Sequence, residues 1–222
     1  MRKLSFVAVA ILLSALGANA TTILINFETV PALPTGASTF ASAGPMQTIV
    51  VPGVATFTGG VVLGNATNLP AQAFTTPPNS YGTANFDTGF PLSSTLTIAL
   101  NASFGTVDEV SFPILNGSTL TETYIVDAFN GATMVATQTF SNVASNTNSG
   151  FAIADIMSPS ITSVTISPLN LDASCCGGWD FFIDSVALNS SVQQAFSPEP
   201  SSFVLIGLAL ALGCILKLLG RI

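Results

Sequence analysis

The sequence predicts an all-β protein, a single β-sandwich with an N-terminal signal peptide and one C-terminal transmembrane helix. Short runs rich in Thr, Val, Ile and Phe alternate with turn residues, and no stretch has helical or heptad periodicity. An apolar segment also stands at each end of the chain. Residues 21–190 are predicted to form one sandwich domain, which is long enough to bury a proper core.

The predicted strands are separated by turn signals. Asn130-Gly131 is the strongest hairpin signal, because both residue types accept the positive φ of a type I′ turn. Residues 31–45 and 69–91 are rich in Pro, Gly and Asn and are predicted to be long loops. The predicted strands are 22–28, 46–51, 54–58, 61–63, 94–100, 107–112, 120–129, 132–140, 150–156, 161–167 and 179–188.

Charge excludes several classes of function. The chain has 11 acidic residues, 4 basic residues and no histidine, for a net charge of −7. The bases are Arg2, Lys3, Lys217 and Arg221, so residues 21–197 contain carboxylates but no Lys, Arg or His. Such a body lacks the base of a Ser-His-Asp or Cys-His site, a Schiff-base lysine, an arginine clamp for phosphate and an imidazole for zinc. It also repels nucleic acid, which is therefore not expected as a partner.

Residues 1–20 are predicted to be a secretory signal peptide. Arg2 and Lys3 supply the positive start, and the apolar stretch that follows is short of the roughly 20 residues that a membrane span needs. Ala18 and Ala20 are the small residues that a signal peptidase recognises, so cleavage is expected after Ala20. The chain is therefore predicted to be exported.

Residues 203–219 are predicted to form a transmembrane helix. At ~1.5 Å per residue they cover about 25 Å, slightly less than the hydrocarbon core of a membrane. Lys217 and Arg221 indicate that this end faces the cytoplasm, which leaves the body outside. Residues 191–197 are predicted to be a short polar linker between the domain and this terminal signal.

Pro198-Glu199-Pro200 stands just before this helix. The triplet, the helix and the basic tail together resemble the PEP-CTERM sorting signal of Gram-negative bacteria, over residues 198–222, although this tail has only two bases. The resemblance implies that an exosortase recognises the inner-membrane precursor, and that the body ends at the cell surface or in the extracellular matrix. The prolines keep the triplet extended, so a protease can bind it.

The second half of the body carries another resemblance. The segments 125–131, 161–166 and 182–188 are similar to the C-terminal strands of jelly-roll, carbohydrate-binding-like modules. This resemblance implies a jelly-roll-like sandwich and an extracellular polysaccharide as a partner. An immunoglobulin-like sandwich is the alternative, because strand alternation fits both topologies.

Carboxylates are the only catalytic equipment of the body. A glycosidase needs two of them across a sugar-binding cleft. Two candidate pairs can be named, Asp108 with Glu109 and Glu122 with Asp127. A regular strand would point the two members of each pair to opposite faces, because the first pair is adjacent and the second is separated by an odd number of positions. We therefore predict a non-enzymatic protein that binds glycan. The alternatives are a glycan hydrolase with carboxylates from different strands, and a purely structural surface protein.

The aromatic residues allow two interpretations. The chain has one tryptophan, Trp179, and two tyrosines, Tyr81 and Tyr124. Exposed rings of this kind stack on sugar faces, whereas buried ones fill a core. The favoured interpretation is that Trp179 begins the last strand and packs in the core or at its edge.

Cys175 and Cys176 are adjacent, and Cys214 lies in the predicted membrane helix. Three states are open for the pair: a strained vicinal disulfide, a bond to another chain, or two free thiols. The vicinal disulfide is favoured, because the glycines that follow give the backbone freedom to distort.

Asp184 is predicted to be buried. Strand alternation places it on the same face as Phe182 and Val186, whose size points that face to the core. A buried carboxylate without a basic partner must be protonated, take backbone hydrogen bonds or bind a metal. Calcium suits oxygen ligands outside the cell. The jelly-roll resemblance implies a structural calcium between the first and last strands, held by Glu28 and Asp184 with Asp180 as a third ligand.

Overall fold

The computed structural model describes residues 22–29, 46–63, 75–76, 79–83, 95–118, 120–145, 150–169 and 181–195. Each predicted run contains at least part of a strand, which confirms the all-β class. The prediction of a loop over 69–91 is wrong for residues 80–82, which form a strand. The strands are β1 (Ile23–Ile25), β2 (Gln47–Val51), β3 (Ala55–Leu63), β4 (Ser80–Gly82), β5 (Leu96–Leu100), β6 (Glu109–Asn116), β7 (Glu122–Asn130), β8 (Thr133–Val143), β9 (Phe151–Met157), β10 (Ser163–Pro168), β11 (Phe181–Ile183) and β12 (Val186–Leu188). A 3₁₀ turn spans Ala102–Phe104, and a short helix, α1, spans Val192–Ala195.

The strands form two antiparallel layers. Sheet A contains β1, β4, β6, β9, β11, β12 and the second half of β3. Sheet B contains β2, the first half of β3, β5, β10, β7 and β8. One core cluster draws buried side chains from both sheets, so the layers pack face to face as a β-sandwich.

Strand β3 passes from one sheet to the other at two glycines. Gly59 has a φ of +92°, and a Cβ at Gly60 would lie 2.5 Å from the carbonyl oxygen of Gly82, so neither position suits a larger residue. The Tyr81 hydroxyl accepts a hydrogen bond from Gly60 N at 3.0 Å and donates one to Gln47 O at 2.8 Å. Burial raises the pKa of Tyr81 to about 12, although the Gly60 bond opposes the shift. This neutral hydroxyl fixes the bend that joins the sheets.

Aromatic rings fill the space between the layers. Phe27, Phe57 and Tyr81 are fully buried, and the Phe27 ring centroid lies 5.2 Å from that of Phe57 and 5.5 Å from that of Tyr81. On the other side of the core, Tyr124 of sheet B lies 5.2 Å from Phe181 of sheet A, centroid to centroid. Such edge and offset contacts stabilise beyond area burial alone. Both tyrosines are therefore core residues.

Sheet A has a second apolar layer on its outer face. Register aligns Val61, Gly82, Phe182, Leu115 and Phe151 in one row across the sheet, so their side chains share that face. Val61, Phe182 and Leu115 are at most 3% exposed, yet none belongs to the central cluster. The Phe182 ring lies over Gly82, where a Cβ would meet it at 2.6 Å. The apolar residues of sheet A therefore pack in two layers, the central core on one face and this outer layer on the other.

The predicted hairpin is present, but its turn is one residue further along. Asn130 pairs with Thr133 as the last residue of β7, which leaves Gly131 and Ala132 as the two turn residues. Gly131 has a φ of +59°, and Asn130 is not among the described residues with positive φ. Glycine at the first central position is the pattern of a type II′ turn rather than the predicted type I′.

The predicted strand 179–188 is broken at Asp184 and Ser185, between β11 and β12. Ser185 has a φ of +50°, which no regular strand contains. Phe181, Ile183, Val186 and Leu188 belong to the core cluster, whereas Phe182 faces the outer layer. The prediction that Phe182 shares the core face with Val186 is wrong, because this break resets the alternation.

Ordered structure extends past the predicted domain boundary at residue 190. Val192–Ala195 forms α1, which contacts β6 and β12, and Val192 is fully buried. Part of the predicted linker 191–197 is therefore packed on the sandwich. Within the ranges that the structure describes, no helix has the length and apolarity of a membrane span. The predicted signal peptide and the predicted span 203–219 lie outside those ranges.

Candidate functional site

A groove of about 530 Å³ lies where β8 and β9, the edge strands of the two sheets, meet. Its volume is in the range of small-molecule sites, ~300–1,000 Å³. The lining is free of charged side chains, and it combines hydroxyl, amide, aromatic and small apolar groups. The lining residues are Thr139, Phe140, Ser141, Asn142, Val143, Ala144, Gly150, Phe151 and Ala152.

Asn116, at the end of β6, bonds to lining residues of the groove on both its β8 and β9 sides. Its side-chain amide donates to the carbonyl oxygens of Val143 at 3.1 Å and Ala144 at 2.9 Å, and its backbone N–H donates to Gly150 O at 2.9 Å. Asn116 is only 1% exposed, so these bonds form away from water. A Cβ at Gly150 would overlap the Ala144 carbonyl, so the close approach of β8 and β9 requires glycine there.

Phe151 is the aromatic surface of the groove. It is 37% exposed and is the only exposed aromatic residue in the described part of the chain. Its register partner is Leu115, which is buried, so the ring position continues the outer apolar layer of sheet A to the sheet edge. Thr139, Ser141 and Asn142 on the β8 side are all exposed and bring hydrogen-bonding groups to the same groove.

Asp184 is fully buried, as predicted, and takes hydrogen bonds at the break between β11 and β12. One carboxylate oxygen accepts from the backbone N–H of Thr76 at 2.7 Å. The other accepts from the Thr76 hydroxyl at 3.1 Å and from the Ser185 N–H at 2.6 Å. Protonation, hydrogen bonding and metal binding are the three states expected for a buried Asp184, and the structure contains the hydrogen bonds. Asp184 therefore has partners without any basic residue.

Glu28 lies close to Asp184, as the resemblance implied. Its carboxylate accepts from Asn79 N at 2.9 Å, and β1 pairs with β12. Burial raises the pKa of Asp184 to about 6; bonds from Thr76 and Ser185 oppose this shift, and the Glu28 charge adds to it. Among the described residues no three carboxylate or cysteine side chains come together as a metal site, and Asp180 lies outside these residues. Glu28 and Asp184 are thus close enough for their charges to interact, and a calcium ion between them stays a prediction.

Glu109 and Asp155 form a carboxyl pair on the outer face of sheet A. Desolvation, the charge of Asp155 and a side-chain hydrogen bond to Asp155, in that order of size, together raise the pKa of Glu109 to about 7. The two groups are within hydrogen-bond distance, closer than the ~5 Å that separates the carboxyls of retaining glycosidases. Glu122 is buried and Asp127 lies on the opposite face of β7, as parity predicted. None of these pairs forms a hydrolase site.

Other residues singled out in the sequence lie outside the described ranges. They are Ala18 and Ala20 at the signal cleavage site, Cys175 and Cys176, Trp179, Asp180, and the triplet Pro198, Glu199 and Pro200.

Sequence reasoning did not find the groove. Asn116-Gly117 was a usable turn signal at the end of β6, and Gly150 marked a close approach of the backbone. However, β8 and β9 are edges of different sheets, and alternation along one strand cannot show that two edges meet. Of the two interpretations of the aromatic residues, the buried one holds for Tyr81 and Tyr124, and no local pattern distinguishes Phe151 from the other phenylalanines.

No family model matches this chain, and no curated protein is significantly similar to it. Solved structures give distant similarities. The K2 cleaved adhesin domain of Lys-gingipain is 13% identical, with 76% of this chain and 99% of that chain covered and a TM-score of 0.43. The K1 domain from Porphyromonas gingivalis W83 is 13% identical, with 76% and 97% covered and a TM-score of 0.39. A variant of the family 29 carbohydrate-binding module CBM29-2 is 9% identical, with 81% and 99% covered and a TM-score of 0.36. Identities and TM-scores this low carry no conclusion about this chain.

Proposed function

We propose that the protein is an exported, non-enzymatic, jelly-roll-like β-sandwich that binds extracellular polysaccharide through the groove between β8 and β9. Phe151 carries the proposal: an exposed ring in a groove lined by hydroxyl and amide side chains. The C–H groups of a sugar face pack on the negative face of an aromatic ring, and sugar hydroxyls pair with groups such as Ser141 and Asn142. The groove offers both kinds of contact.

The groove is accessible from outside the domain. Phe151 pairs with Leu115 near the end of β6, whereas Asn189, which leads to α1, bonds to Glu109 at the opposite end of the same strand. Those ends are separated by roughly 20 Å at ~3.3 Å per residue. The described C-terminal segment therefore packs away from the groove and does not cover it.

Retention of the full-length chain on immobilised polysaccharides tests this proposal. The panel contains galactan, glucomannan and polygalacturonate, with the protein held in mild detergent. Phe151→Ala should lose at least tenfold in affinity for the retained glycan. Met157→Ala is the matched control, because Met157 is exposed on the same face of β9 but does not line the groove. Equal losses of affinity in both variants, or no retention on any glycan, would reject the groove as the binding site.

The same experiment distinguishes the two alternative functions. Release of shorter sugar products during incubation would favour a carboxylate-dependent hydrolase. No retention and no products would favour a purely structural surface protein. The carboxyls of Glu109 and Asp155 are hydrogen-bonded to each other, whereas the acid and the nucleophile of a retaining glycosidase stand ~5 Å apart.

We also propose that the chain is sorted as its two ends predict. Signal peptidase removes residues 1–20, the C-terminal helix holds the precursor in the inner membrane, and an exosortase acts at Pro198-Glu199-Pro200 before the body reaches the surface or matrix. Replacing the triplet with alanines should leave the C-terminal helix attached and the body on the membrane, in a host that has an exosortase. Unchanged release of the altered chain would refute this.

A structural calcium ion at Glu28 and Asp184 is the last part of the proposal. Two neighbouring carboxylates in a body without bases favour a cation, and calcium would supply charge neutralisation there. Thermal unfolding of the full-length chain should shift upward with calcium and downward with chelator. Asp184→Asn should abolish that difference. A melting temperature indifferent to calcium and chelator would exclude the site.

A further inference from the structure

The described lining of the groove between β8 and β9 has no cationic side chain that could pair an anion. Its nine lining residues carry no charge, and its polar groups are the hydroxyls of Thr139 and Ser141 and the amide of Asn142. Arg and Lys are the cationic side chains that pair a carboxylate, sulfate or phosphate on a sugar, through charge-assisted hydrogen bonds that repay the desolvation of the anion. Residues 21–197 contain neither, so no loop of this body can supply one.

Carboxylates flank the groove. Glu122 is the register partner of Val143, a lining residue, and Asp155 lies on the same face of β9 as Phe151. Four residues along a strand span about 13 Å at ~3.3 Å per residue, which exceeds the ~8 Å Debye length at physiological salt but is well below the ~30 Å Debye length at 0.01 M salt. The negative potential of the body therefore reaches the groove, weakly at physiological salt and strongly at low salt.

From this charge distribution we infer that the groove accepts an uncharged polysaccharide and rejects polyanionic ones. This inference rests on the proposed glycan binding and specifies its substrate class. Neutral sugar units bring hydroxyls and apolar faces, which match the lining, and they experience no repulsion from the body. A uronate or sulfated chain would bring negative charge into a groove that cannot pair it.

The test uses two probes that differ in charge alone. Polygalacturonate and its fully methyl-esterified form have the same backbone, and neutral galactan is a second uncharged probe. The full-length chain at 20 mM salt should bind an uncharged probe at least tenfold more tightly than polygalacturonate. Affinity for the uncharged probe should not change between 20 and 300 mM salt, because no ion pair contributes. Phe151→Ala should abolish the binding.

A variant that gains affinity tests the role of charge independently of folding defects, because a misfolded protein would lose affinity. Ser141→Lys places one ammonium in the groove and should raise affinity for polygalacturonate at least tenfold at low salt. Met134→Lys adds the same charge at an exposed position elsewhere on β8 and should not do so. Gel filtration and circular dichroism confirm that both variants are folded.

The outcomes separate the two proposals. Binding of polygalacturonate as tightly as its ester, with loss in Phe151→Ala, would overturn the inference and keep the groove as a glycan site. Equal gains from Ser141→Lys and Met134→Lys would also overturn it, because charge would then act from anywhere on the body. Failure of every probe to bind would reject the proposed function itself.

Discussion

Strands β6 and β8 are both long and antiparallel, yet they have opposite relations to water. Seven of the eight residues of β6 are buried, whereas of the eleven in β8 only Val143 is. The core covers one face of β6, and side chains on its other face, such as Leu115, are buried in the outer layer. Strand β8 is the last strand of sheet B, and its outer side chains face solvent. Burial is thus decided by what lies on each side of a strand.

The difference between the two strands also separates stability from binding. The side chains around β6 fix the sandwich, and their replacement should lower the free energy of unfolding. The exposed side chains of β8 hold little of the fold together, so they are free to contact a ligand. The groove forms where β8, at the edge of sheet B, meets β9, the strand that pairs with β6.

The largest expected effect is in the outer layer. Phe182→Ala should lower the free energy of unfolding by about 3–5 kcal/mol, as in an ordinary core. Phe151→Ala makes the same change on the same face, at a position that is 37% exposed, and should cost about 1 kcal/mol or less. Urea unfolding measures both. Equal small losses would mean that the outer layer is not a packed layer in solution.

A smaller effect should follow from loosening α1. Val192→Ala removes two buried methyl groups' worth of surface and should cost about 1.5 kcal/mol. Val50→Ala, at a residue that is 62% exposed, is the matched control and should change stability by about 0.5 kcal/mol or less. If Val192→Ala left the free energy of unfolding unchanged, residues 191–195 would behave as a linker and not as part of the packed domain.

Glu109 should make the β6 region sensitive to pH. Its pKa in the folded state, about 7, is above its ordinary value of 4.5, so the folded state binds more protons between these values. The free energy of unfolding should therefore fall as pH rises from about 4.5 to about 7. Glu109→Gln should flatten the profile between about pH 6 and pH 7, because Asp184, whose pKa is raised to about 6, contributes a slope of the same sign mainly below pH 6. Asp127→Asn, on sheet B, is the control, and a profile between about pH 6 and pH 7 that stays steep in Glu109→Gln would contradict the assignment.

The smallest effect is expected on β8. Met134 is 52% exposed near the hairpin turn, so Met134→Thr should change the free energy of unfolding by about 0.5 kcal/mol or less. Thermal and urea unfolding give the value. A loss above about 1 kcal/mol would show that this face of β8 is covered in solution, because only a buried methionine has that effect.

Much of the fold could be predicted from local patterns. The alternation of β-rich runs with turn residues predicted the strands, and Asn130-Gly131 predicted the β7–β8 hairpin. The turn itself was wrong by one residue, because pairing of Asn130 with Thr133 leaves Gly131 to take the positive φ. Sequence shows which residues accept such a conformation, and the register of the two strands selects one of them.

The candidate site was predictable only in part. Burial of Asp184 and its closeness to Glu28 were anticipated, while the groove at β8 and β9 was not. The expected reason for burial also failed, because Ser185 breaks the strand and reverses its faces. Alternation predicts a face only along an unbroken strand.

The sequence by itself determined the all-β class and the chemistry that the body lacks. Without Lys, Arg or His in residues 21–197, the body has no imidazole, ammonium or guanidinium side chain to act as a base or to pair an anion, whatever its fold. The tertiary structure decided which apolar residues form the core, which form the outer layer, and where two sheet edges meet. Those depend on contacts between residues far apart in the chain, such as Asn116 with Val143 and Gly150, which no local pattern specifies.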